Sequence, residues 1–120
     1  MKEIIINIFE LIASHAAVST TDGESLFERI KKAFDSDVRV ILDFNNLELI
    51  TSTFLNSSVG KLYGHYNNEF IKDHLGLENM SNEDLVLLKK VVDRAKEYFK
   101  ERDKLDREIE QVLGDEDDDN

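Results

Sequence analysis

Glu3 to Phe9 (EIIINIF) is almost unbroken in apolarity, the pattern of a strand covered on both faces. The next segment, Glu10 to Val18, has no clear period, and a turn of helix or a second short strand both fit it. Thr21 followed by Glu24 has the spacing of a capping box and predicts a helix start. Leu26, Phe27, Ile30, Ala33 and Phe34 then share one face and carry that helix to about Phe34, with Asp35-Ser36-Asp37 as its exit. Val38 to Phe44 (VRVILDF) is β-branched and mostly apolar, the best central-strand candidate in the chain, and Asn45-Asn46 turns away from it.

With Thr51 as N-cap, Ile50 and Leu55 stand at the positions of a hydrophobic staple and predict a second helix. Leu55, Val59, Leu62 and Tyr66 follow at helical spacing and should face the core. Phe70 to Leu77, where Ile71, Asp73, Leu75 and Leu77 alternate with their neighbours, predicts a third, weaker strand. Ser81 with Asp84 predicts the start of a third helix, with Met80 and Leu85 as a second staple. Leu85, Leu88, Val92, Ala95 and Phe99 continue it. Beyond Lys100 that helix is mostly charged, with Leu105, Ile109, Val112 and Leu113 as its remaining apolar positions, and Gly114 ends it.

Three strands alternating with three helices predict a layered α/β domain: a small parallel or mixed sheet covered by helices, with a long C-terminal helix. No repeat and no Pro-rich or Gly/Ser-rich linker divides the chain. The organisation expected is one domain over residues 1–100, a helical extension over 101–113 and a disordered acidic tail over 114–120.

Composition narrows what such a domain does. The net charge of −11, with Lys and Arg interleaved among acids, argues against nucleic acid and anionic membranes as partners. Without cysteine there are no disulfides and no thiolate metal sites. The apolar run at the start is too short to span a bilayer and is flanked by Glu3 and Glu10 rather than by a basic region, so a cytoplasmic protein is expected.

Against this acidity one stretch stands out. Five of the nine residues from Ile50 to Ser58 carry a hydroxyl, and Lys61 is the only formally charged residue between Leu49 and Asn68. At about 100° per residue, Thr53, Ser57, Gly60 and Gly64 lie opposite Leu55, Val59, Leu62 and Tyr66, with Asn56 beside them. Phe54 falls on neither side, and is grouped with Thr53, Asn56, Ser57, Gly60 and Gly64 as a partner contact. A face this small and uncharged admits another backbone closely. It suits either a partner protein or a covering element of the same domain, the third helix or the segment from Glu10 to Thr21.

The run Val38 to Phe44, followed by Leu47, Ile50, Ser52, Leu55, Gly60 and Leu62, resembles the core of STAS-like domains. It is closest to the bacterial STAS-like group of unknown function, where a strand ending in Leu-Asp-Phe leads into a Ser/Thr-Ser/Thr-Phe-Leu helix start. The resemblance covers residues 24–95, and its specific part runs from Val40 to Leu62. Broader STAS proteins, the anti-sigma-factor antagonists, have Asp-Ser-Ser-Gly-Leu there, and a partner kinase phosphorylates the Ser after the Asp. The resemblance puts Thr51 at the Asp, Ser52 at the phosphorylated Ser, Thr53 at the next Ser, Phe54 at the Gly and Leu55 at the Leu. This chain departs from the antagonists in lacking the carboxylate at Thr51 and in placing a bulky Phe54 where they have Gly. It implies a non-enzymatic regulatory module without cofactors, switched at Ser52 with Thr51 and Thr53 beside it, whose partner is an ATPase-type kinase or another signalling protein. The plainer alternative is that Thr51 or Ser52 only caps the helix and Thr53, Ser57 and Ser58 fill the surface.

Other constellations are weaker. His15, His65 and His74 have no metal-ligand spacing and read as ordinary surface or half-buried residues. Asp43, at the end of the central strand, is where an α/β enzyme or nucleotide-binding domain would place a carboxylate, and this is the alternative function. A pocket at the end of that strand would favour it. Net charge and the tail alone support a third reading, a small acidic antitoxin-like or nucleic-acid-mimicking protein. Finally, Leu105, Ile109 and Val112 continue the apolar stripe onto a solvated helix. Either they close on the domain, or they pair with another chain, for which a homodimer through the C-terminal helix is the expectation.

Overall fold

The Ile-rich start is strand β1 (Glu3–Asn7), which pairs in parallel with β3 (Arg39–Asp43) so that Glu3 stands beside Arg39 and Asn7 beside Asp43. On its other side β3 pairs in parallel with β5 (Leu75–Glu78), giving the order β1-β3-β5 with Val38–Phe44 supplying the central strand as expected. The computed structural model describes the backbone of residues 1–118 and the side chains of residues 1–113. Of the acidic tail expected over 114–120, residues 119–120 and the side chains of 114–118 fall outside those so described.

The expectation that β1 is covered on both faces is overturned. Ile6 is buried, but Ile5 is 62% exposed and shares an outer row with half-buried Ile41 and Gly76. Ile keeps its strand preference with one face in water, because branching at Cβ stiffens χ1 whether or not the side chain is buried.

Both readings of Glu10 to Val18 are realised in turn. Asn7 caps a short helix α1 (Ile8–Ile12), its Oδ1 accepting from the Glu10 N–H at 2.8 Å, and Ala13 ends it in the left-handed region. β2 (Ala16–Ala17) follows and pairs in parallel with β4 (Leu49–Ile50) as a separate two-stranded sheet.

Helix α2 (Thr20–Asp35) starts two residues earlier than the Thr21 box predicts. Ser19 is the cap, accepting from Asp22 N–H at 3.0 Å; the competing Ser-x-x-Asp spacing wins because Ser19 has the extended backbone a cap needs. Its expected apolar face is buried throughout. At the exit, Asp37 adopts φ 57°, with Asp37 N–H on Phe34 O (2.9 Å) and Val38 N–H on Ala33 O (2.9 Å), a Schellman closure.

Phe70 to Leu77 is mostly not a strand. Asn67 caps helix α4 (Asn68–His74), accepting from Phe70 N–H at 2.8 Å, with Glu69 in the first turn and Lys72 and His74 in the last. Only Leu75 onward becomes β5. The cap and the dipole-matched charges outweigh an alternation carried by few residues. Ile71 and His74 are buried from α4, and the rings of Phe34, Tyr66, Phe70 and His74 pack together, with Phe70 and His74 stacked at 3.8 Å.

Ser81 caps α5 (Asn82–Asp118) through Asp84 N–H, as expected, and the helical span includes Gly114, where the pattern predicts its end. Leu88, Val91 and Ala95 are its buried positions, whereas Leu85 is exposed and Val92 half-buried. The core is therefore α2, β1, β3, α5 and the hydroxyl-rich segment between β4 and α4. Past Phe99 every described side chain of α5 is exposed, and the molecule is 60 Å long. Among the described residues no helix is long and apolar enough to cross a membrane.

Candidate functional site

The paired strands β2 and β4 bring two helix starts side by side. Thr51 N–H donates to Ala17 O (3.1 Å), and the Thr51 hydroxyl donates to Val18 O (3.1 Å) while accepting from Phe54 N–H (3.3 Å). Thr51 is thus the cap of α3 (Ser52–Leu55), as predicted, and also fastens that helix to the strand preceding α2. With capping assigned to Thr51, Ser52 and Thr53 are exposed, and their hydroxyls make no hydrogen bond among the described residues. Thr20 and Thr21 at the start of α2 are exposed as well.

The helix then widens into a π-helical turn, Asn56–Gly60. The Ser57 hydroxyl donates to Thr53 O (3.0 Å) and Phe54 O (3.1 Å), and the buried Ser58 hydroxyl donates to Phe54 O at 2.8 Å. A π turn lifts carbonyls out of the ordinary ladder, and these two hydroxyls satisfy them. With the Thr51 cap, three of the five hydroxyls are therefore structural, and Ser57 and Ser58 are not surface filler.

The small uncharged face, suited by its sequence to a partner or to a covering element of the same domain, is divided and largely covered. Gly23 of α2 packs against Ser57, Gly60 against Val91 of α5, and Gly64 lies under the Phe99 ring. Phe54 is fully buried in the core. The reason is twofold: the segment is held between α2 and α5 over a wide arc, and a 100° wheel does not carry across a turn with more residues in it. Of the predicted contact residues, Thr53 and Asn56 remain exposed and Ser57 half so, while Phe54 and Gly60 are inside and Gly64 is half-buried. Asn56 and Gly60 do border a cleft of about 340 Å³, closed on the other side by Arg94, Ala95, Tyr98 and Phe99.

Asp43 serves as a clasp. Its Oδ1 accepts from Asn79 Nδ2 (2.8 Å) and Asn45 N–H (3.0 Å), and its Oδ2 from Asn7 Nδ2 (3.2 Å), tying together the ends of all three strands. The Asn79 bond chiefly, then the Asn45 amide and Asn7, hold its carboxyl below the ordinary carboxylate range. The clefts along α5 and beside the start of α2 are not lined by Asp43. Because the folded pKa is depressed, the clasp's contribution is present above the unfolded pKa and lost as pH falls through the folded one. Asp43→Asn is accordingly expected to lower stability at neutral pH by about 1–2 kcal/mol, with the gap to wild type closing in acid. Urea denaturation across pH measures this, and a gap independent of pH would show that charge is not what holds the clasp.

The histidines stand apart. His15 meets Asn46 O and the Phe9 ring, and His65 packs near Phe27. His74, expected at the surface or half-buried, is buried, because Asp37 Oδ1 (2.7 Å) and Phe70 O (2.9 Å) engage both of its ring nitrogens. Among the described residues no three His, Asp or Glu side chains could hold a metal ion. The Asn7, Asn79 and Asp37 partners escaped sequence reasoning. The Asn7–Glu10 cap spacing was the one signal that marked any of them.

A small parallel sheet backed by helices, with a hydroxyl-bearing helix start after the central strand, defines a STAS-like α/β domain. A family model described as a STAS-like domain of unknown function (DUF4325) matches residues 22–85, more than half of the chain, and the chain belongs to that family. No curated protein and no solved structure matches it.

Proposed function

We propose that the chain is a non-enzymatic regulatory module that binds a protein partner through the exposed hydroxyl rim of Ser52, Thr53 and Asn56, bordered by Thr20 and Thr21, with Ser52 as its phosphorylation switch. One observation carries this reading: Thr51 makes the capping and strand-fastening bonds, leaving the Ser52 hydroxyl exposed and unengaged at the position of the modified Ser in related antagonists. A phosphate on Ser52 would add close to two negative charges and three acceptors to an uncharged rim without breaking the cap. By the family resemblance, the partner is an ATPase-type kinase or another signalling protein. Asp43 has its carboxylate committed to three bonds, and no observation favours the enzyme alternative.

The test compares Ser52→Ala and Ser52→Asp as quantitative baits in host lysate, with mass spectrometry of Ser52 in the captured wild-type chain. The expected result is a partner whose recovery differs at least about tenfold between the two baits, equivalent to 1.4 kcal/mol, with unchanged circular dichroism. Equal recovery of every captured protein, beside an unmodified Ser52, would overturn the proposal.

A further inference from the structure

The cleft between the π turn and α5 differs from the rest of the surface in its charge. Its floor is Gly60 and Ala95, both buried, where no side chain reaches beyond Cβ. Tyr98 and Phe99 form one wall, their rings 4.9 Å apart and edge to face. Arg94 and Lys61 stand beside them and no carboxylate lines the cleft, in a chain whose net charge is −11. The neighbouring acids face other ways. Asp93 and Glu97 line the broad cleft on the other flank of α5, and Glu101 lies past Tyr98 beside Leu105.

The two cations are not equivalent. The Lys61 ammonium is 4.7 Å from the Phe27 ring centroid and borders a second cleft with Glu24 and Glu28, so its charge is turned toward α2. Arg94 is exposed and makes no hydrogen bond or ion pair among the described residues. A free guanidinium is a planar fork that fits one carboxylate through two parallel bonds. Next to it, the rings of Tyr98 and Phe99 suit an aromatic body. The exposed Asn56 amide, its Oδ1 3.6 Å from where a Gly60 Cβ would stand, offers a donor and an acceptor at the mouth. A volume of about 340 Å³ is close to the lower bound of about 300 Å³ for small-ligand sites, which limits the body to a ring or two. A single free fork in an acidic protein also selects one carboxylate over a phosphate ester, whose second charge would go unpaired.

We propose that this cleft binds a small aromatic monocarboxylate, its ring against Tyr98 and Phe99 and its carboxylate on Arg94. Neither Ser52 nor Thr53 lines the cleft, so the site stands independently of the Ser52 switch.

The probes are naphthoate and its uncharged amide, naphthamide, titrated into the full isotope-labelled chain and followed by amide NMR shifts. Naphthoate is expected to move the signals of Asn56, Gly60, Arg94 and Ala95, to bind at least about fivefold more tightly than naphthamide, a difference of about 1 kcal/mol, and to weaken with salt. Two substitutions at exposed positions, with circular dichroism as the check on folding, separate the contributions. Arg94→Gln removes the fork and should bring naphthoate down to the affinity of naphthamide. Tyr98→Ala removes the wall and should weaken both probes alike, by at least about fivefold. The proposal is overturned if the two probes bind alike to the wild-type chain, or if either variant binds naphthoate as the wild type does. Naphthoate shifts confined to residues outside the cleft would overturn it equally.

Discussion

Gly23→Ala is expected to lower the stability of the domain by about 2–3 kcal/mol, although alanine is the better helix former by about 1 kcal/mol. The methyl group would lie 1.8 Å from the Ser57 hydroxyl oxygen and 2.7 Å from Phe54 O. The hydroxyl can rotate away, at the loss of its bonds to the π turn, but the carbonyl belongs to backbone held between α2 and α5. One helix or the other must shift. Gly64→Ala supplies the contrast. The atoms nearest its methyl group would all belong to the half-buried Phe99 ring, which can swing outward, so the loss should stay below about 1 kcal/mol. Denaturant midpoints at constant slope measure both. A neutral or stabilising Gly23→Ala would mean that α2 does not rest on the π turn.

Phe54→Ala should be costlier still, about 3–5 kcal/mol, a large share of the 5–15 kcal/mol typical of a domain. The ring is fully buried among Leu55, Val59 and the apolar face of α2, and its removal leaves a cavity the surrounding helices cannot close. Were Phe54 a surface contact, as its grouping with Thr53 and Asn56 expects, truncation would change stability by no more than about 0.5 kcal/mol. The two outcomes lie several kcal/mol apart, and a single urea titration separates them. Phe54→Leu, which keeps most of the volume, should recover much of the loss.

What could be read from the residues was local. Val38–Phe44 declares itself a strand by its branched side chains, α2 by its apolar face, and Thr51 and Ser81 by cap spacing. The errors arise where a distant part of the chain decides. Ile5 carries the same strand preference as Ile6, and only the placement of helices on one side of three strands tells them apart. Asn67 turns a weak alternation into α4. A face of Gly and Ser looks the same whether its neighbour is another protein or the chain's own α5, some thirty residues downstream. The π turn is invisible to a fixed wheel, which allots every residue the same arc. Of the candidate site, the Thr51 cap was legible, together with the resemblance that marks Ser52. The division of that stretch into buried and exposed residues was not.

The register of the sheet also governs how the chain is made. Each residue of β1 pairs with one 36 positions later, and β3 keeps an open edge until β5 follows. At ordinary rates of synthesis, Ile4-Ile5-Ile6 waits roughly 2–7 s for its partner strand to be made. Such a triplet is sticky while it waits, and Lys2, Glu3 and Glu10 surround it with charge. Glu3 and Glu10 thus act as guards for a nascent strand whose partner has not yet been translated.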